Sequence, residues 1–167
     1  TRMGLNMRPQ RISGFFKTFT VWLCLTGLAQ AADLPHARDL KDWGEKARKE
    51  ARPIVVVIVR EDCPFCRLLE EEVIWPMIRS GDYLPHISLG LIDLDDGELL
   101  RDFDGKMKST TTFANQYDVW LTPTVMFLGP EGETLEKPLV GTRLIDYYWF
   151  DLDEAIASGR KQLAEKY

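Results

Sequence analysis

Cys63-Pro64-Phe65-Cys66 is the stretch of this sequence whose residue types and spacing point most directly at chemistry. Two thiols three residues apart can bond to each other, or attack in turn a disulfide in another molecule. Only a thiolate attacks, so the surroundings must favour the ionised form of one of them. The pair follows Ile54-Val55-Val56-Val57-Ile58-Val59, a β-branched run apolar on both faces, which reads as a central buried strand. Arg60-Glu61-Asp62 reads as a short turn. From Cys63 to about Ile78 the pattern is helical, with Leu68, Leu69, Val73 and Met77 facing inward. Pro76 is expected to kink or end that helix. Cys63 therefore opens a helix, where free backbone N–H groups and the positive dipole end stabilise negative charge. Pro64 suits the first turn, where a missing N–H costs little. Cys66 lies one turn on, on the same face, placed to resolve a mixed disulfide.

The other cysteine, Cys24, falls in a segment of different character. Residues 1–31 carry Arg2, Arg8, Arg11 and Lys17 and no acid, then an apolar run over 19–29, then Ala29-Gln30-Ala31. A basic start, an apolar run and a small-x-small exit are the parts of a secretory signal peptide, so export is expected. If uncleaved, the segment would serve as a membrane anchor. Its removal would take the formal charge from −5 to −9 and leave Cys63 and Cys66 as the only thiols. A bridge between them closes a tiny loop and constrains the unfolded chain little, so stabilisation is a poor reason for the pair. Zinc would need about four ligands, and the only histidines, His36 and His86, lack motif spacing. No metal is expected. The acidic balance argues against nucleic acid or anionic lipid as partner.

The remaining elements must position the pair. Residues 36–51 read as a helix through Leu40, Trp43 and Ala47, broken by Pro53. Residues 86–94 read as a second strand, 95–111 as an irregular polar connection or inserted short helix, and 112–117 as a short helix. Residues 123–128 and Thr134–Val140 read as strands around a Gly129-Pro130-Glu131-Gly132 turn, and 144–167 as a long helix. An early parallel unit followed by a closing hairpin gives an α/β sandwich, a mixed sheet with helices on both faces. Glu70-Glu71-Glu72 and Asp93, Asp95 and Asp96 read as solvated surface. Trp75, Trp149, Tyr147 and Tyr148 read as packing.

With Cys63-Pro64-Phe65-Cys66 and the later Tyr117-Asp118-Val119-Trp120-Leu121-Thr122-Pro123-Thr124 in this order, the sequence resembles the thioredoxin superfamily over residues 37–166. It is most similar to secreted bacterial thioredoxin-like proteins, the SoxW-like group and the catalytic domains of Dsb proteins among them. The resemblance implies one thioredoxin-like domain over Ala32–Tyr167, with a central mixed sheet of four to five strands. It implies Cys63 as nucleophile and Cys66 as resolving thiol. Pro123 would be cis and lie against the cysteines with Thr122 beside it, and Trp120 would border a substrate groove. Pro64 and Phe65 would shape the site. It further implies protein disulfide or thiol substrates, a periplasmic setting, a membrane electron-transfer partner that recycles the pair, no organic cofactor, and a monomer.

Three departures bear on direction. Glu61-Asp62 stands where thioredoxins usually carry Trp, and its charge disfavours a thiolate on Cys63. Thioredoxin's buried Asp would fall in the Val55–Val59 run, which is apolar throughout. The Pro-Phe dipeptide lacks the His of DsbA. These predict a pair less oxidising than DsbA, a reductase or isomerase. The alternatives are a DsbA-like oxidase and a non-catalytic binding or chaperone-like module on the same scaffold.

Overall fold

A computed structural model of the chain describes residues 34–142 and 145–167. The expected signal segment, and Leu144 at the expected start of the last helix, lie outside the described residues.

The β-branched run forms strand β1, Ile54–Val59, with every residue buried. Its buried backbone N–H and C=O groups need partners on both edges. β2, Ser88–Asp93, pairs with it in parallel, and β5, Thr124–Leu128, pairs with it antiparallel. β6, Thr134–Val140, completes the order β2-β1-β5-β6. The far edge of β2 is covered by the chain before the first helix. Ala37 N–H donates to the Leu91 carbonyl at 2.8 Å, and Leu91 N–H to that of Pro35 at 2.9 Å. This pairing keeps a strand edge from standing open.

Alternation along β1 divides the core. Val55, Val57 and Val59 join a cluster with Cys63, Cys66, Leu69, Val73 and Leu152. Ile54, Val56 and Ile58 join another with Leu40, Leu100, Phe113 and Met126. Helix α1, Leu40–Glu50, and helix α4, Thr110–Gln116, thus cover one face. The helix that follows the cysteines and the C-terminal helix α5, Ile145–Lys166, cover the other.

The helix after Cys63 departs from expectation. It does not end at Pro76, although regular α-helical bonding gives way just before it. It runs as α2, Pro64–Leu69, then a π-helical turn, Glu70–Ile74, then α3, Trp75–Ser80. Trp75 N–H donates to the Glu70 carbonyl, five residues back. Proline has no N–H to give and its ring crowds the carbonyl one turn earlier, so a wider turn just before Pro76 accommodates both demands. The helix stops instead at Gly81, whose φ of 73° suits glycine. Leu69, Val73 and Met77 are buried as expected, but Leu68 is 36% exposed.

Three further expectations are corrected. α1 begins four residues later than read, because residues 35–37 are engaged with β2; Asp39 caps it, its carboxylate accepting Asp42 N–H at 2.9 Å. Residues 95–111 hold a hairpin, β3 (Leu99–Arg101) against β4 (Met107–Ser109), rather than an irregular connection. Buried Asp102 sits at its bend, paired with Lys108 and accepting Phe103 N–H at 2.8 Å. β5 starts at Thr124, one residue after Pro123. Among the described residues no helix is long and apolar enough to cross a membrane.

Gly90 lets α1 approach the sheet. A methyl group there would run into the Trp43 ring and come within 2.9 Å of the Pro35 carbonyl oxygen. Gly90→Ala is expected to lose about 1–3 kcal/mol by overpacking, read by urea unfolding. An unchanged midpoint would contradict this packing.

Candidate active site

The site begins where β1 ends. Two parallel neighbours finish side by side, with Val59 opposite Asp93, and their loops are tied together. Leu94 N–H donates to the Val59 carbonyl at 3.0 Å. Asp95 then grips the turn that carries the cysteines. It takes the Arg60 guanidinium at 2.5 Å and Glu61 N–H at 3.3 Å. Arg67 reaches back to the Glu61 carbonyl at 3.5 Å. The sequence reads Arg60 only as part of the turn and Asp95 as solvated surface, and gives Arg67 no role; the signal is tertiary, since Asp95 is remote from the turn in the chain.

Cys63 is the N-cap of α2, with extended backbone at φ −122° and ψ 98°. Its carbonyl accepts Cys66 N–H at 3.1 Å and Arg67 N–H at 3.2 Å. Its Sγ also accepts Cys66 N–H, at 3.1 Å, and is disulfide-bonded to Cys66 Sγ. Once the pair is reduced, this donor faces a free sulfur, and a hydrogen bond to the charged form favours the thiolate. Cys63 is 8% exposed and Cys66 1%, so Cys63 is the more accessible residue of the pair. Pro64 and Phe65 are exposed beside it, Phe65 at 62%.

Thr122 approaches from the opposite side. Its hydroxyl donates to Cys63 Sγ at 3.6 Å. The Thr122–Pro123 bond is cis, and Pro123 is buried, its carbonyl accepting Gly141 N–H at 2.8 Å. The structure therefore brings Cys63, Cys66 and Thr122 together, with Pro123 adjoining. Trp120 is 76% exposed and Leu121 65%. Trp120 lines a shallow depression with Tyr117, Pro138 and Val140, beside the site rather than on the sulfurs.

No acid of β1 stands behind the pair, because Val55, Val57 and Val59 fill that cluster. A carboxylate comes from elsewhere. Glu71 and Glu72 are exposed as expected, but Glu70 is half-buried, and burial pushes its carboxyl above the ordinary range. The Asp93 and Glu71 charges push the same way, and Arg67 opposes them. A run of three acids hides this in the sequence. His36 and His86 are both exposed, His36 lying 3.8 Å from Asp96. Among the described residues no group of three or more His, Cys, Asp or Glu is placed to hold a metal ion.

The family described as thioredoxin-like domain matches residues 41–142, more than half of the chain. A solved structure described as DsbH oxidoreductase is similar at 15% identity and a TM-score of 0.56, covering 93% of this chain and 95% of that one. A thioredoxin from Nicotiana alata matches at 19% identity and a TM-score of 0.49, covering 73% of this chain and 96% of its own. At these identities the DsbH likeness establishes the fold. No curated protein sequence matches the chain significantly.

Thr122→Val removes the hydroxyl from Cys63 and keeps the shape. The Cys63 thiol is expected to titrate about one unit higher, the scale of a single hydrogen bond to charge. Thiolate absorbance against pH reads the shift. An unmoved titration would show that the hydroxyl contributes nothing.

Proposed function

The chain belongs to the thioredoxin-like family, and from that premise we propose that it is an exported thiol–disulfide oxidoreductase acting on protein disulfides. The observation that carries this reading is Cys63 Sγ, which accepts a helix N–H at 3.1 Å, is bonded to Cys66, and faces the Thr122 hydroxyl at 3.6 Å.

The geometry supports a two-step cycle. In the reduced protein, the Cys63 thiolate attacks one sulfur of a substrate disulfide. The substrate S–S bond breaks, a Cys63–substrate disulfide forms, and the first substrate sulfur leaves as a thiolate and takes a proton. Cys66, deprotonated, attacks Cys63 Sγ. The mixed disulfide breaks, the second substrate thiolate leaves, and the Cys63–Cys66 bond is restored. Substrate is reduced by two electrons and the pair is oxidised by two. No metal or organic cofactor takes part. A membrane electron-transfer protein would return the electrons.

The exposed apolar side chains Phe65, Leu68, Trp120 and Leu121 support a protein substrate, since they offer apolar contact area on the segments that carry the cysteines and Thr122. An extended segment beside Thr122 and Pro123 would find backbone groups to pair with. The basic, acid-free stretch of 1–31 with its Ala29-Gln30-Ala31 exit supports a signal peptide, a thioredoxin-like domain over Ala32–Tyr167, and a periplasmic setting. The negative charges of Glu61 and Asp62 support a reductase or isomerase rather than a strong oxidant.

Cys66→Ser is expected to accumulate mixed disulfides with captured proteins, and Cys63→Ser none, on non-reducing gels. Unchanged biological activity in both variants would instead favour a binding module. Equilibration with glutathione is expected to place the pair well below the ~−120 mV of DsbA, and a value near that figure would overturn the reductase reading.

A further inference from the structure

The resolving step needs a base for Cys66, and β1 offers none. Cys66 is 1% exposed, so bulk water reaches its proton poorly. Its surroundings in the core cluster are Val, Leu, Ile, Met and aromatic side chains. A thiolate on Cys66 therefore requires a proton acceptor nearby.

Glu70 stands four residues after Cys66 on one continuous helix, with right-handed helical dihedrals at Leu69 and Glu70. Residues four apart share a helix face, and a helical side chain leans toward the N-terminus, over the preceding turn. The turn preceding Glu70 is the one that carries Cys66. The charge of Asp93, at the end of β2, reaches Glu70 from the sheet, and Glu71 and Arg67 act on it from its own helix. No hydrogen bond or ion pair to the Glu70 carboxylate exists among the described residues, although ten such ion pairs hold other charges. A half-buried, unpaired carboxylate within the field of other carboxylates costs stability. Such placements concentrate where a group is used.

We propose that Glu70 is the proton acceptor for Cys66 in the step that expels substrate, an inference that rests on the redox reading above. In that step the Cys66 S–H bond breaks and the proton passes to the Glu70 carboxylate. The sulfur's electron pair then attacks Cys63 Sγ, and the substrate thiolate departs. Glu70 returns the proton to solvent, or to the leaving sulfur. An unperturbed Glu, near pH 4.3, is a weak base toward a thiol near 8.5. Burial and the Asp93 charge narrow that gap by making Glu70 hold its proton more firmly.

The test compares the full chain with Glu70→Gln and Glu70→Asp in the reduction of insulin by dithiothreitol across pH. Glu70→Gln is expected to slow turnover at pH 7 by roughly a hundredfold, the low end for a general base. It should prolong the mixed disulfide and lose the acid limb of the pH profile, while Glu70→Asp restores part of both. Stability should move the other way. The folded chain keeps the Glu70 proton to higher pH than the unfolded chain, so this group's contribution falls as pH rises through its raised value. Glu70→Gln should thus melt higher at pH 7, with the gain vanishing below the ordinary carboxylate range. A pH profile that superimposes on the wild type, whether or not the rate drops, overturns the role of Glu70, as does a lower melting temperature at pH 7. Failure of the wild type itself to reduce insulin overturns the underlying redox reading instead.

Discussion

One contact organises the site: Cys66 N–H donating to Cys63 Sγ at 3.1 Å. It exists because Cys63 is the N-cap of a helix, extended while the next residue is already helical. An N-cap side chain takes a backbone donor that the helix leaves without a partner. Serine or aspartate would do this for stability. A cysteine does it and gains a donor aimed at its own reactive atom. The rest of the fold keeps that cap in place. β1 is buried on both faces and fixes the point at which the chain leaves the sheet. Asp95 ties the intervening turn through Arg60 and Glu61. The π turn lets the helix continue past Pro76 to Ser80, so the cap sits on a long support rather than a six-residue stub.

The same architecture sets a conflict between packing and proton handling. A fully apolar β1 makes a firm floor but leaves no ionisable group under the cysteines. The carboxylate nearest in helical position comes from the helix itself, and it carries the cost of partial burial opposite Asp93. Above the site the balance is reversed. Phe65, Trp120 and Leu121 stay exposed, which a protein with no partner would have reason to avoid. Stability is thus concentrated in the sheet, while the rim and the Glu70 turn hold groups placed at some expense to it.

Much of this was legible in residue order. The β1 and β6 runs gave correct bounds, because six or seven β-branched or alternating residues between breakers leave little ambiguity. The cysteine pair was legible as a motif, and the cis Pro123 came with the family resemblance that the two motifs carry. The β3–β4 hairpin did not, since strands of three residues cannot display a period of two, and its bend depends on the Asp102–Lys108 pair. The late start of α1 depended on the pairing of residues 35–37 with β2, a long-range event. Pro76 signalled a break that the π turn absorbed. Glu70 looked like its neighbours Glu71 and Glu72 because what distinguishes it, partial burial and then the Asp93 charge at the end of β2, is set by tertiary packing. Thr122 was placed by resemblance, but the contact of its hydroxyl with Cys63 Sγ belongs to tertiary geometry.

The central claim is that the helix cap makes Cys63 the reactive sulfur and leaves Cys66 guarded. Brief alkylation of the fully reduced chain with iodoacetamide at neutral pH, followed by peptide mapping, tests it directly. The account predicts label on Cys63 well before Cys66. Equal labelling, or faster labelling of Cys66, would contradict it.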